Sequence, residues 1–124
     1  MRSKIAMVLF LFTGICVVSC VHRPSPWKGT WLVVIENGKD MSKNQVVYTL
    51  TDNTISQFVP GLCKETGTLS VSKSRFTALI TESNCSWSFV GKKISGTLSL
   101  KEDRLTLNFP EHGKMFSQTC VRKK

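Results

Sequence analysis

The sequence predicts an all-β protein, in which an antiparallel up-and-down meander closes into a small barrel of eight or nine strands. From Trp31 onward, short stretches alternate apolar and polar residues, which is the pattern of strands with one buried face. Ser, Thr, Val, Phe and Trp dominate these stretches, as is typical of strands. Closure into a barrel would remove the exposed edges of the meander.

The predicted strands are joined by short connections, and none of the intervening segments has a helical period. Asn37-Gly38 and Pro60-Gly61 are strong turn sequences that end the first and third strands. The clearest pair of strands comes near the end, on either side of the polar turn 101–103. The strands are predicted over 31–35, 45–51, 54–59, 68–71, 76–81, 85–89, 94–100, 105–109 and 115–121, with 110–114 as a loop.

The N-terminus predicts export. Two basic residues precede an apolar run over 5–18, which has the length of a signal-peptide core and is too short to span a bilayer comfortably. The run ends in Val17-Val18-Ser19-Cys20, which resembles the lipobox of bacterial lipoproteins. In that family the cysteine receives diacylglycerol and the chain is cut just before it.

This resemblance implies a signal peptide over 1–19, a lipidated Cys20 with a tether over 20–28, and a barrel domain over 29–124. It also implies a membrane partner through Cys20 and a place in the cell envelope. In a Gram-negative cell this would be the outer membrane, facing the periplasm, because Val21 stands where an aspartate would retain the protein elsewhere. The alternative is an ordinary secretory signal and a secreted protein.

A second resemblance concerns the barrel. Gly29-Thr30-Trp31 is similar to the glycine-x-tryptophan signature at the first strand of lipocalins and of bacterial lipocalin-like lipoproteins, and 48–53, 67–71 and 94–100 also resemble that bacterial group. The resemblance implies that Trp31 plugs the closed end of a ligand-binding barrel. The alternative is a β-sandwich with a core tryptophan.

The cysteines predict one disulfide. If the strands on either side of the 72–75 link pair around its centre, Cys63 and Cys85 come to face each other. A bridge there closes a loop of about 20 residues and contributes roughly 3 kcal/mol. Cys120 is then left over if Cys20 carries lipid. In a rival scheme there is no lipid and Cys20 pairs with Cys120, since barrel closure brings the chain ends together.

The chain is strongly basic, with a formal charge of +9. Removal of the signal would leave 15 basic and 8 acidic residues, or +7. This charge favours anionic surfaces such as phospholipid headgroups, whereas an exported protein rarely meets nucleic acid, which we do not expect as a partner. The candidate residues for an anionic surface are Lys92, Lys93, Arg122, Lys123 and Lys124.

The sequence offers no catalytic or metal-binding pattern. His22 and His112 have no neighbour at metal-ligand spacing, and there is no Cys-x-x-Cys or glycine-rich phosphate loop. The eight acidic residues are scattered, and we interpret them as turn residues. We therefore expect a protein that is not an enzyme and that needs no metal or cofactor.

The expected function is binding of a small apolar or amphipathic molecule inside the barrel, and the basic residues named above could hold the headgroup of an anionic lipid. An eight-strand barrel is just wide enough to be filled by its side chains or to hold one small ligand. The alternatives are a protein-interaction module with a filled barrel, a basic surface and an unknown partner, and a hydrolase inhibitor. The candidate ligand-binding residues are Trp31, Tyr48, Phe58, Phe76, Trp87, Phe89, Phe109 and Phe116.

Overall fold

The computed structural model describes residues 25–87 and 90–123 of the chain. The predicted signal peptide, Cys20, Phe89 and Lys124 lie outside these described residues. The strands are β1 (Gly29–Glu36), β2 (Lys39–Asp40), β3 (Val47–Leu50), β4 (Thr54–Val59), β5 (Cys63–Ser72), β6 (Arg75–Ser83), β7 (Lys93–Lys101), β8 (Arg104–Glu111) and β9 (Lys114–Arg122). Within this part of the chain, no helix has the length and apolar character needed to cross a membrane.

The strands form one antiparallel meander that closes into a barrel. Neighbours in sequence pair from β3 through to β9, and β1 pairs with both β3 and β9. Eight strands therefore surround the core, and the two-residue β2 is an addition that pairs with the end of β1 through Ile35 and Glu36. This confirms the predicted all-β class, the meander and its closure.

The turns follow the residues that predicted them. Asn37 and Gly38 both have positive φ, 50° and 82°, which is the backbone of a two-residue hairpin turn and explains why Asn-Gly favours it. Gly61 also has a positive φ of 73°. The β8–β9 hairpin turns at His112 and Gly113, so the loop predicted over 110–114 is shorter than expected.

Two strand predictions were wrong around the disulfide. The strand β5 begins at Cys63, well before the predicted position 68. No strand covers the described part of 85–89: Cys85 is irregular, as is Asn84 just before it, and Trp87 lies in a turn. The physical reason is that this segment is bound to β5: the Cys63–Cys85 bridge is formed, and Asn84 exchanges two hydrogen bonds with the backbone of Lys64.

One end of the barrel is plugged by Trp31, which is fully buried. Its Nε1 donates to the carbonyl of Trp27 at 2.8 Å. The guanidinium of Arg122 lies over the ring at 4.3 Å from its centroid and donates to the carbonyls of Lys28 and Pro26 at 3.0 and 2.9 Å. These hydrogen bonds hold residues 26–28, which precede β1, across this closed end of the barrel.

The core next to this plug is apolar and tightly packed. The other side chains with almost no exposure are Val33, Leu50, Leu105 and Cys120. The strand β7 passes so close to β8 at Gly96 that a Cβ there would collide with the carbonyl of Asn108, which is why a residue without a side chain is needed at this inward position.

Candidate functional site

The barrel contains a cavity of about 390 Å³ at the end opposite Trp31. Its walls come from the ends of β1, β4 and β8 and from the beginnings of β3, β5, β7 and β9. A deeper recess of about 40 Å³ shares five wall residues with it: Tyr48, Gln57, Glu65, Ile94 and Phe109. Even without the recess, the main cavity has a volume within the range of sites that bind small molecules.

The apolar part of the wall is centred on Phe109. Its ring contacts Phe116 with centroids 5.5 Å apart and meets Phe76 edge to face at 6.3 Å. Phe109 and Ile94 line both spaces, Phe116 lines the main cavity and Phe76 lines the recess. These side chains offer an apolar ligand a surface that would otherwise face water.

A chain of polar side chains crosses the cavity wall. Gln57 Nε2 donates to the hydroxyl of Tyr48 at 3.2 Å, Tyr48 donates to Gln118 Oε1 at 2.6 Å, and Gln118 Nε2 donates to Glu36 Oε1 at 3.0 Å. Burial raises the pKa of Tyr48, and the negative charges of Glu65 and Glu36 raise it further. The phenol therefore stays protonated and serves as a hydrogen-bond donor.

Glu65 is the charged residue most deeply placed in this cavity. Only 9% of its surface is exposed, and it lines both the main cavity and the recess. Its Oε2 accepts a hydrogen bond of 3.3 Å from Ser83 Oγ. No lysine, arginine or histidine of the described residues forms an ion pair with it.

A lysine and a third carboxylate lie at the mouth. Lys92 Nζ donates to Glu111 Oε2 at 2.8 Å, and both side chains are largely buried. His112 Nε2 is 3.9 Å from the same oxygen, but 84% of the histidine side chain is exposed. The positive charge of Lys92 is therefore already compensated by Glu111.

The structure brings together five of the eight aromatic side chains predicted to bind a ligand. Tyr48, Phe76, Phe109 and Phe116 line the cavity or its recess, and Trp87 lies at the mouth. The structure places two other candidates away from the cavity. Trp31 belongs to the plug at the far end, and Phe58 points outward with 47% of its surface exposed, because β4 directs Gln57 inward. Phe89 lies outside the described residues.

The predicted anionic surface is divided between the two ends of the barrel. Lys92 is committed to Glu111 at the mouth, where Lys93 is exposed. Arg122 is committed to the plug at the opposite end, next to the exposed Lys123. The side chains therefore do not form one continuous basic patch, and Lys124 lies outside the described residues.

The predicted Cys63–Cys85 disulfide is present, with Cα atoms 5.1 Å apart. Cys120 is unbonded within the described part of the chain and is fully buried. Burial raises the pKa of its thiol to about 12. Cys20 lies outside the described residues, so the rival Cys20–Cys120 pairing stays a prediction.

Sequence reasoning identified Tyr48 but missed Glu36, Glu65 and the two glutamines of the cavity. The scattered acidic residues are expected in turns, but Glu36 and Glu65 stand on strands and line the cavity. The sequence pattern could have identified Glu65 as a residue of the barrel interior. Every second residue of this part of β5 is buried and faces inward, namely Cys63, Glu65, Gly67 and Leu69. An earlier start of β5 would have placed this carboxylate in the barrel.

Apolar side chains are exposed around the mouth. Leu62, Val90 and Met115 each expose more than half of their surface, and Trp87 exposes 43%.

In the part of the chain that the structure describes, no group of three His, Cys, Asp or Glu side chains is arranged to hold a metal ion. No protein-family model matches the chain, and no curated protein matches its sequence.

Proposed function

We propose that this chain is a non-enzymatic binding protein of the cell envelope, which holds a small apolar or amphipathic ligand in its barrel and does not convert it. The observation that carries the proposal is the open cavity of about 390 Å³, with aromatic walls and a few polar groups at its centre. Such a combination of apolar surface and placed polar groups is typical of small-molecule sites.

The proposed place in the envelope rests on the lipobox resemblance at Cys20. Ser25 to Lys28 lie at the plugged end, where Arg122 binds the carbonyls of Pro26 and Lys28. A lipid on Cys20 would therefore hold the plugged end next to the outer membrane, within about 20 Å at 3.3–3.6 Å per residue. The mouth would then face away from this membrane, toward the periplasm.

Binding can be tested with N-phenyl-1-naphthylamine, an uncharged apolar dye whose fluorescence rises in an apolar environment. We expect a saturable rise with one dye per chain. Ile94→Trp should reduce the dye's affinity at least tenfold, because Ile94 lines both the cavity and the recess and a larger ring would fill them.

Phe58→Ala is the matched control, because it removes an exposed aromatic side chain from the outer face of the barrel and should leave the affinity within twofold. Near-ultraviolet circular dichroism would show that both variants are folded. A dye signal that persists in Ile94→Trp, or that is lost only in Phe58→Ala, would place binding on the outer surface and contradict the proposal.

A second candidate function is a protein-interaction module. The exposed Leu62, Trp87, Val90 and Met115 around the mouth favour it, since clustered exposed apolar residues mark interaction sites. A photo-crosslinking amino acid at position 90 would capture a specific envelope protein in that case. The same group at position 73, in the turn at the plugged end, is the control and should capture nothing specific.

A further inference from the structure

We propose that the ligand carries a positive charge, as an ammonium group on an apolar chain or ring, and that Glu65 is its counter-charge. This inference rests on the proposed function, because it names the class of ligand for the same cavity. It runs against the charge of the whole chain, which is +9 and which by itself would favour anionic ligands.

The described lining of the cavity has more negative than positive charge. Three carboxylates line it, those of Glu36, Glu65 and Glu111. One lysine, Lys92, lines it and is paired with Glu111 at 2.8 Å. Glu36 and Glu65 form no ion pair within the described residues. The cavity therefore presents two uncompensated carboxylates to a ligand.

Glu65 lacks the partners that a buried carboxylate needs. A carboxylate with 9% exposure is rarely found in proteins unless it is paired. Its single side-chain hydrogen bond within the described residues comes from Ser83 and is long, at 3.3 Å to Oε2. Oε1 accepts no such bond and belongs to a side chain that lines both spaces. An ammonium group of a ligand would supply the missing donor and charge.

The hydrogen bonds of the neighbouring polar chain all run in the same donor-to-acceptor direction and end on a carboxylate, which suits a ligand that donates hydrogen bonds. A carboxylate can only accept hydrogen bonds, so Glu36 fixes the orientation of Gln118, whose oxygen then accepts from Tyr48. The oxygen of Tyr48 in turn accepts from Gln57. The phenol proton and one proton of each amide are thereby used within the wall. An ammonium group, which has three donors and no acceptor, matches the carboxylates that remain.

The test uses three ligands with the same eight-carbon chain: octylamine, 1-octanol and octanoate at pH 7. Their affinities are measured by displacement of N-phenyl-1-naphthylamine and by titration calorimetry. We expect octylamine to bind at least tenfold more tightly than octanol, and octanoate to bind more weakly than octanol. Added salt should weaken octylamine and leave octanol unchanged.

Two variants identify the counter-charge. Glu65→Gln keeps the shape of the side chain and should weaken octylamine about tenfold, with octanol within twofold of the unaltered protein. Glu82→Gln removes the same charge from an exposed position on β6 and should change neither ligand by more than twofold. This control separates a local contact from the general effect of one negative charge.

The outcomes distinguish this inference from the proposed function. If the dye and octanol bind but octylamine has no advantage, or if Glu65→Gln behaves like Glu82→Gln, the inference is overturned while the binding function stands. If neither the dye nor any of the three ligands binds to the folded protein, both are overturned. An advantage for octylamine that disappears in Glu65→Gln alone is the result that supports the inference.

Discussion

We predict that replacing Arg122, which packs on Trp31 at the closed end of the barrel, by methionine has a large effect on the free energy of unfolding. The guanidinium makes two hydrogen bonds to backbone carbonyls and lies over Trp31. A bond from a charged donor contributes about 1.5–3 kcal/mol, but 36% of the arginine side chain is exposed, so we take about 1 kcal/mol for each bond. The contact with the ring adds about 0.5–1 kcal/mol.

Arg122→Met should therefore lower the free energy of unfolding by about 2–3 kcal/mol. The pair with Asp103, at 3.5 Å and with an aspartate that is 84% exposed, adds little. For a domain of this size the loss corresponds to a decrease of about 10–20 °C in the melting temperature. Urea unfolding followed by tryptophan fluorescence would measure it.

Lys123→Met is the matched control, since it removes the same charge from the next residue, which is exposed. This variant should change the free energy of unfolding by less than about 0.5 kcal/mol. Equal effects of the two substitutions would refute the reasoning, because net charge and not the plug would then explain them.

Two further predictions concern the cysteines. Replacing both Cys63 and Cys85 by alanine should lower the free energy of unfolding by about 3 kcal/mol, since the bridge joins residues 22 apart and restricts the unfolded chain; a loss below about 1 kcal/mol in urea unfolding would contradict this. Burial raises the pKa of Cys120 from 9.0 to about 12, so above pH 9 the unfolded state releases this proton while the folded state keeps it. The free energy of unfolding should therefore fall by about 1 kcal/mol more between pH 9 and pH 10 in the unaltered protein than in Cys120→Ala, and parallel pH profiles would show that the thiol does not contribute.

Much of the barrel could be predicted from local patterns. The alternation of 94–100 and 105–109 places every second residue on one face, and β7 and β8 cover both stretches. The dipeptides Asn37-Gly38 and Pro60-Gly61 end strands because Asn37, Gly38 and Gly61 adopt a positive φ, which asparagine and glycine tolerate better than other residues. The disulfide followed from the centre of one hairpin, since antiparallel pairing relates positions around a turn.

Other predictions were wrong where contacts with distant segments override the local sequence pattern. The pattern at 85–89 is that of a strand, but the bridge to Cys63 and the bonds to Lys64 hold the start of this segment against β5. Phe58 and Phe109 are equally apolar, but Phe109 faces the cavity and Phe58 faces outward. The difference lies in which alternate residues of β4 and of β8 point into the barrel. A shift of one residue exchanges the two faces of a strand, and the sequence of a short strand does not alone determine which residues point inward.

By itself the sequence determined the class of the fold, the turns and the closure of one disulfide, because each depends on residues close together or on a regular period. Only the tertiary structure decided which polar residues enter the barrel. Glu36, Tyr48, Gln57 and Gln118 come from four strands and form one hydrogen-bonded chain, and Arg122 reaches the segment before β1. Such contacts join residues far apart in the chain, and they exist because barrel closure brings those residues together.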